Sequence, residues 1–476
     1  MASFRAIGRG LITFNTRRKM LLKLNNTYFC TMKVGGVMQK ISQWRLKLKL
    51  SPNNFFLVLC VLVGVVAGLA AVALKQATAE LESLLQVYER SGNFVLLISP
   101  VIGILLATTY VWIFRKGKLG RGISNVIENI DNKGGYMEKD KMYSHMITSS
   151  LTVGLGGSMG LEAPIVVTGA AFGSNIASLF KLTDEERILL LACGASAGIS
   201  AIFGAPIAGV LFSIEVLLKK FSTVHFVPLL IASAVASVIS QVLYHGGQIF
   251  YIFTQGWDIK ALPFYLVLSI ITGFYSLYVL KGITYSANIF EGIKNPYKKA
   301  LIGGVALGGI VFLLPPLYGE GYHTVQMLLN SDYTRLFDSS LLFKFHNSEF
   351  ALLFITVAIL LLKVFAAQIT LSSGGNGGFF APALFMGSVV GFFYVYSVNH
   401  FNLSRIMGLD KLNEPNFIAV AMAGLMSGVM HTPLTAIFLI AEATGGYTLL
   451  VPLMIVASFS YLITKYFHPQ SIYQKH

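Results

Sequence analysis

Ten apolar stretches, most of them long enough to cross a bilayer as helices, leave this chain only one kind of solvent in which to fold. They cover residues 55–74, 94–114, 188–218, 224–244, 263–280, 300–317, 350–369, 379–398, 417–440 and 447–466. About 20 residues of apolar helix span the hydrocarbon of a membrane. A helix also satisfies its own backbone groups, which lipid cannot do. Composition agrees: 55% of the 476 residues are hydrophobic and 12% are charged, where soluble domains carry about 25% charged residues. A soluble fold of this composition would present broad apolar patches to water. The pattern therefore predicts an all-α, multi-pass integral membrane protein.

Two further apolar stretches are interrupted. One, residues 147–171, contains Gly154, Gly156, Gly157, Gly160 and Pro164; the other runs through Gly374, Gly375, Gly377, Gly378 and Pro382. Glycine and proline both break helices. Irregular backbone at membrane depth persists only where protein buries it or where it lines a wet path. The two breaks also share a layout. Glu162-Ala163-Pro164 is followed by Gly169 and Gly173, and Phe380-Ala381-Pro382 by Gly387 and Gly391, at the same offsets from each proline. Downstream, Pro206 precedes Glu215 by nine residues, as Pro433 precedes Glu442. Paired interrupted helices in two halves point to a transport site near the bilayer midplane. We divide the chain into a basic segment 1–50, a first membrane repeat 51–245 and a second 246–476.

The net charge of +15 is unevenly placed: residues 1–50 hold eleven Lys or Arg and no acid, the first acid being Glu80. Such a run suits nucleic acid, a transit peptide or anionic lipid. The apolar run that starts at Phe55 favours lipid, with residues 39–50 as an amphipathic entry helix and the N-terminus in the cytoplasm by the positive-inside rule. No nucleic-acid partner is expected. Cys30, Cys60 and Cys193 are too scattered for a disulfide framework or a metal cage. No metal cluster or nucleophile–base pair stands out, so neither cofactor nor enzymatic activity is expected.

An interrupted helix offers free N–H groups and the positive end of its dipole, both of which favour anions. The glycine runs 156–160 and 374–378 would let main-chain amides face a ligand unobstructed. One such glycine reads better as a helix-packing device; two clusters in register favour an anion site. Glu162 is the informative side chain, since an ionised acid at membrane depth costs about 3 kcal/mol on insertion scales. It reads either as a gate that occupies the anion site until protonated, or as a cap on local N–H groups. Both use the same geometry.

Gly120-Arg121-Gly122-Ile123-Ser124, Gly160-Leu161-Glu162-Ala163-Pro164 and Gly378-Phe379-Phe380-Ala381-Pro382 resemble, in order and separation, the three signature motifs of the CLC chloride channels and transporters. Ala205-Pro206-Ile207-Ala208-Gly209 leading into Glu215 resembles them too, and the likeness covers roughly residues 54–473. It implies two inverted repeats with broken helices and a homodimer with one pore per subunit. It also implies chloride transport, with chloride or another small anion as substrate, membrane lipid around it and voltage-gated chloride channel activity among the expected functions. Glu162 matches the gating glutamate. Phe379 and Phe380 match the residues whose amides bind the central anion, and Tyr473 matches the tyrosine whose hydroxyl coordinates it; without the family Tyr473 would read as an interfacial anchor. Glu215 and Glu442 match structural acids. With no appended cytosolic domains, the resemblance implies a prokaryotic plasma membrane.

Three departures bear on mechanism. Arg121 stands where the family presents a serine, and Ser124 where it has proline, so fluoride or nitrate joins chloride as a candidate anion. Ala163 replaces a glycine. Val216 occupies the position of the internal proton-transfer glutamate, which favours channel-like or weakly coupled transport over chloride/proton antiport. His145 reads as a packing or vestibule residue, and Lys363, mid-span, demands a partner or a wet cavity. A membrane protein that has lost conduction is the rival from another class.

Overall fold

The computed structural model describes residues 51–89, 94–120, 122–218, 223–244, 254–337 and 348–474. The basic segment 1–50, with Cys30 and the expected entry helix, lies outside the described residues, as does Arg121. Leu59–His476 forms one compact unit; of the chain ahead of it, 51–58 opens the first helix.

Among the described residues the longer elements are all helices. The first half contains α1 (Pro52–Glu89), α2 (Phe94–Arg115), α3 (Gly122–Lys133), α4 (Ser144–Gly154), α5 (Glu162–Leu179), α6 (Asp184–Phe203), α7 (Pro206–Phe212) and α8 (Phe226–Leu243). The second contains α9 (Leu262–Glu291), α10 (Pro296–Leu313), α11 (Tyr322–Leu329), α12 (Glu349–Ser372), α13 (Phe380–His400), α14 (Glu414–Met430), α15 (Pro433–Ala443) and α16 (Leu450–Phe467). Nine helices among the described residues are long and apolar enough to cross a membrane.

Two of the expected continuous stretches are split. Residues 188–218 divide between α6 and α7 at Gly204 (φ 69°), and 417–440 between α14 and α15 at His431 (φ 58°). Each break is a left-handed residue followed two positions later by the first proline of the next helix. A left-handed residue ends the hydrogen-bond ladder, and proline at the first turn gives up only an N–H that had no helical partner. The hydropathy of these stretches hid breaks that Pro206 and Pro433 already marked.

Burial sorts the helices by role. The span windows of α6 and α13 are 78% buried, whereas that of α16 is 33% buried. Outward-facing residues on the peripheral helices, such as Val58, Ile98, Ile113, Phe354 and Leu462, are apolar and exposed, as lipid contact requires. The central helices pack at backbone distance through glycine: a Cβ added to Gly173 would run into the main chain at Leu190, and one added to Gly391 would lie 2.8 Å from Ile418 Cα. These repeat glycines are packing devices for α5 on α6 and α13 on α14.

The halves are tied by reciprocal, antiparallel contacts. The carboxylate of Glu215, just beyond α7, accepts from the N–H groups of Leu434 (2.9 Å) and Thr435 (2.8 Å) at the start of α15. Glu442, near the end of α15, accepts from Ile207 (3.0 Å) and Ala208 (2.9 Å) at the start of α7. Each acid caps the other helix, which requires the two to run in opposite directions. That is the inverted arrangement of a two-fold repeat.

Candidate functional site: the junction of the broken helices

Each broken helix turns on a glycine in left-handed backbone, Gly156 at φ +99° and Gly374 at φ +105°. Each lies six residues before the helix that follows it, α5 at Glu162 and α13 at Phe380. Only glycine adopts these angles without strain. From there the two loops bond to one another symmetrically. Gly160 N–H donates to Gly378 O (3.0 Å) and Gly378 N–H to Gly160 O (2.8 Å), an antiparallel bridge. Ser158 N–H donates to Thr370 Oγ1 (3.2 Å), and Asn376 N–H to Thr152 Oγ1 (3.0 Å). The residues that play matching parts in the two loops share one offset, since 378 − 160, 376 − 158 and 370 − 152 all equal 218.

This corrects the expectation that the glycine runs themselves present amides to a ligand. Gly156 and Gly157 donate back to α4, Met159 within its own loop, Gly374 and Gly375 back to α12, and Ser158, Asn376, Gly160 and Gly378 across the junction. A buried N–H is rarely left unpaired, and these loops satisfy most of theirs. A run of N–H groups without a backbone acceptor lies one step further on, in the first turns of α5 and α13: Glu162, Ala163, Phe379, Phe380 and Ala381. The glycines aim those turns at each other. A Cβ on Gly378 would lie 2.7 Å from Ala163 Cβ, and one on Gly160 2.6 Å from Ala381 Cβ. The start of α3 joins them, with Gly122 3.8 Å from Ala163 Cβ by the same construction.

Glu162 is fully buried at this junction. Its Oε1 accepts a short hydrogen bond from the hydroxyl of Tyr322, the first residue of α11. The carboxyl faces the N–H of Glu162 itself and that of Ala381, and its Oε2 closes no complete hydrogen bond. Thus the carboxyl of one half lies against the first-turn amides of the other. Pro164 and Pro382 sit in those first turns, where their missing N–H costs nothing.

Aromatic rings enclose the start of α13. Phe380 packs against Phe203 (5.2 Å between centroids) and Phe212 (6.3 Å), and Phe212 meets Tyr473 edge-on (6.4 Å). The Tyr473 hydroxyl contacts Met430 Sδ (3.4 Å) and lies within the electrostatic reach of Glu162. Ser124 donates its hydroxyl proton to the Tyr473 carbonyl (2.9 Å), which fastens the C-terminal segment to α3. Gly120 (φ +90°) and Gly122 (φ +43°), the first residue of α3, both have positive φ, and an added Cβ at Gly120 would meet the Asn125 side chain.

Several polar groups serve the junction without lining it. His145 is buried against Asn376, whose amide donates to the His145 carbonyl (3.1 Å) and to Thr148 Oγ1 (2.8 Å), so the histidine braces the second loop. Lys363, also fully buried, finds its partners in Ser158 Oγ (2.8 Å), Gly319 O (3.3 Å) and the face of Phe385 (4.7 Å). Thr152 and Thr370, Glu320 and Tyr322 were not singled out in the sequence. Matching Thr152 to Thr370 through the 218-residue offset would have found the first two. The acid between Gly319 and Gly321 at the end of an apolar stretch was the signal for the others.

The family model described as "Voltage gated chloride channel" matches residues 102–465. The chain belongs to the CLC family. It is 27% identical over 441 residues to the voltage-gated ClC-type chloride channel ClcB of Escherichia coli O17:K52:H18, a match that covers 88% of this chain and 98% of that protein. It is 26% identical over 437 residues to a putative chloride channel protein ClcB-like of Ralstonia nicotianae, covering 87% and 94%. Among solved structures, a slow cyanobacterial Cl−/H+ antiporter matches with a TM-score of 0.74 at 23% identity, covering 89% of this chain and 97% of that one. A CLC-type fluoride/proton antiporter matches at 0.71 and 24%, covering 89% and 98%. These likenesses establish the CLC fold for this chain, and the interlocked loops are where its two halves meet.

Proposed function

We propose that this protein conducts chloride across a membrane through one pathway per subunit of a homodimer, with Glu162 as its gate and little coupling to protons. The observation that carries the reading is the Glu162 carboxyl set against the amide ends of α5 and α13. Those amides and the two helix dipoles favour an anion, and the carboxylate is a tethered anion that competes for the same place. Protonation removes its charge and its claim on the amides, so flux rises as pH falls. Phe379 and Phe380 supply first-turn amides, and Tyr473, on the far side of Phe212, supplies a hydroxyl. Backbone donors hold an anion without the depth of a buried lysine, so that it also leaves.

Weak coupling is supported by what stands beyond α7. Val216 has no titratable group, and the neighbouring carboxylate of Glu215 is engaged by Leu434 N–H, Thr435 N–H and Thr435 Oγ1. An acid held by three donors is poorly placed to pass a proton on. The substrate is a small anion, the chain is no enzyme, and the basic segment 1–50 faces the cytoplasm from a prokaryotic plasma membrane.

Simultaneous recording of chloride and proton movement in proteoliposomes tests this. We expect chloride efflux that rises with acidity and drives few protons uphill. Glu162→Gln should give flux that no longer responds to pH. A pH response that survives in Glu162→Gln sinks the gate assignment; fixed-ratio uphill proton pumping by the wild type sinks the weak-coupling assignment in favour of antiport. Adding fluoride or nitrate to compete for the same flux decides the anion.

A further inference from the structure

A second carboxylate lies behind the gate. Glu320, between α10 and α11, accepts a hydrogen bond from the N–H of Leu161 (3.1 Å), the residue that immediately precedes Glu162. Two residues later in the same segment, Tyr322 donates to the Glu162 carboxyl. Residues 320–322 therefore hold the gate from both sides, at its backbone and at its side chain. The two carboxyl groups lie within each other's electrostatic reach. Glu82 of α1 belongs to the same cluster, since a Cβ on Gly319 would lie 3.5 Å from its Oε1. Glu162 is sealed from solvent, whereas Glu82 and Glu320 are only partly covered.

The charged and titratable groups that face Glu320 come from every element around it. They are Glu162 of α5, Glu82 and Lys75 of α1, Lys363 of α12, Tyr322 of α11 and Tyr244 at the end of α8. The two lysines are already occupied. Lys363 bonds Ser158 and Gly319, while Lys75 bonds Ala201 O (2.8 Å) and Ser240 Oγ (3.3 Å) and covers the Tyr244 ring. Neither forms a direct ion pair with Glu320 among the described residues.

We propose that Glu320 is a positioning residue for the gate, whose charge sets the pH at which Glu162 leaves the amide cradle. The reasoning rests on the reading of Glu162 as that gate. An ionised Glu320 repels an ionised Glu162, and like charges at close range favour the proton-bound form of one of them. Protonation of Glu162, and with it release, then begins at a higher pH than the cradle alone would allow. The pair titrates together, so the response belongs to both carboxyls.

Chloride flux measured against pH in proteoliposomes, with the same pH on both sides, tests this with four variants beside the wild type. Glu320→Gln keeps an acceptor for Leu161 N–H but removes the charge. Its midpoint should move toward acid by about one pH unit, a tenfold change in proton affinity, with the acid plateau within about twofold of wild type. Glu320→Asp keeps the charge, gives up the ideal reach to Leu161, and should keep the wild-type midpoint. In Glu162→Gln the pH response should vanish, and adding Glu320→Gln to that background should change nothing. A wild-type midpoint in Glu320→Gln, alongside a flat Glu162→Gln, leaves the gate reading standing and overturns this inference, making Glu320 a backbone cap. An Asp variant shifted as far as the Gln variant overturns it as well. A pH response that persists in Glu162→Gln is a failure of the gate reading itself, and a midpoint moved by Glu320→Gln in that background assigns Glu320 to some other group.

Discussion

Gly378 shows how little room the junction leaves for a side chain. Its amide and carbonyl both bond Gly160, and the space where a Cβ would go is taken by Ala163, with the Ala163 backbone N 3.0 Å from that point. Neither neighbour is the far end of a flexible chain, so Gly378→Ala must part the two loops. Overpacking of this kind typically costs about 1–3 kcal/mol. The larger effect falls on transport, because parting the loops separates the first-turn amides of α5 and α13. We expect Gly378→Ala to lower chloride flux by about tenfold or more while the purified protein still folds, as read by flux per mass of reconstituted protein beside thermal unfolding in detergent. Flux within twofold of wild type would show that the junction tolerates a wider cradle than the geometry implies. Ala163 stands one step from the same crowding. A methyl fits there because it points at a glycine, which explains why this departure from the family pattern leaves the interlock intact.

Among the elements, α7 and α15 are too short to cross a membrane, and each ends by donating an acid to the other's first turn. A carboxylate at a helix N-terminus gains both hydrogen bonds and the dipole. Replacing Glu442 with Ala exposes two first-turn amides of α7, Ile207 and Ala208, at a half-buried site. The expected loss is about 1–2 kcal/mol, read as a lower unfolding temperature in detergent, with Glu442→Gln intermediate because its amide oxygen still accepts. The matched Glu215→Ala should lose a similar amount, since its carboxylate serves the same purpose; a large unequal effect would mean that Glu215 has a further role. These caps also show what was legible from residues alone. Offsets between proline and glutamate could be matched within each half, so the repeat and the acids were evident. The crossed pairing was not, because local spacing carries no record of which helix lies beside which. The same limit applied to the glycine runs. Their composition announced a break and a close approach, but whether an amide serves a ligand or a threonine hydroxyl depends on Thr152 and Thr370, each 218 residues from its counterpart. Hydropathy merged α6 with α7 and α14 with α15, since an average over a window does not register one left-handed residue.

At the scale of the whole molecule, the placement of titratable groups is lopsided. Glu82, Glu320, Tyr322 and Glu162 cluster on one side of the junction, whereas beyond α7, at the other end of the aromatic belt that encloses Phe380, stand Val216 and the fully engaged Glu215. On the proposed reading, a proton that reached Glu162 from the acid-rich side would find no titratable successor at 216, so chloride and protons are expected to uncouple. The direct test supplies the missing group. Val216 is half-buried in the π-type turn Ser213–Leu217 that follows α7, and a carboxylic acid at membrane depth costs about 3 kcal/mol. We expect Val216→Glu to gain chloride-driven uphill proton movement, absent or small in the wild type, at equal or lower chloride flux. Val216→Gln, with the same shape and no exchangeable charge, should gain none. Proton pumping by both variants, or by neither, would mean that the path beyond the junction is decided by something other than this position, most directly by water admitted beside Glu215.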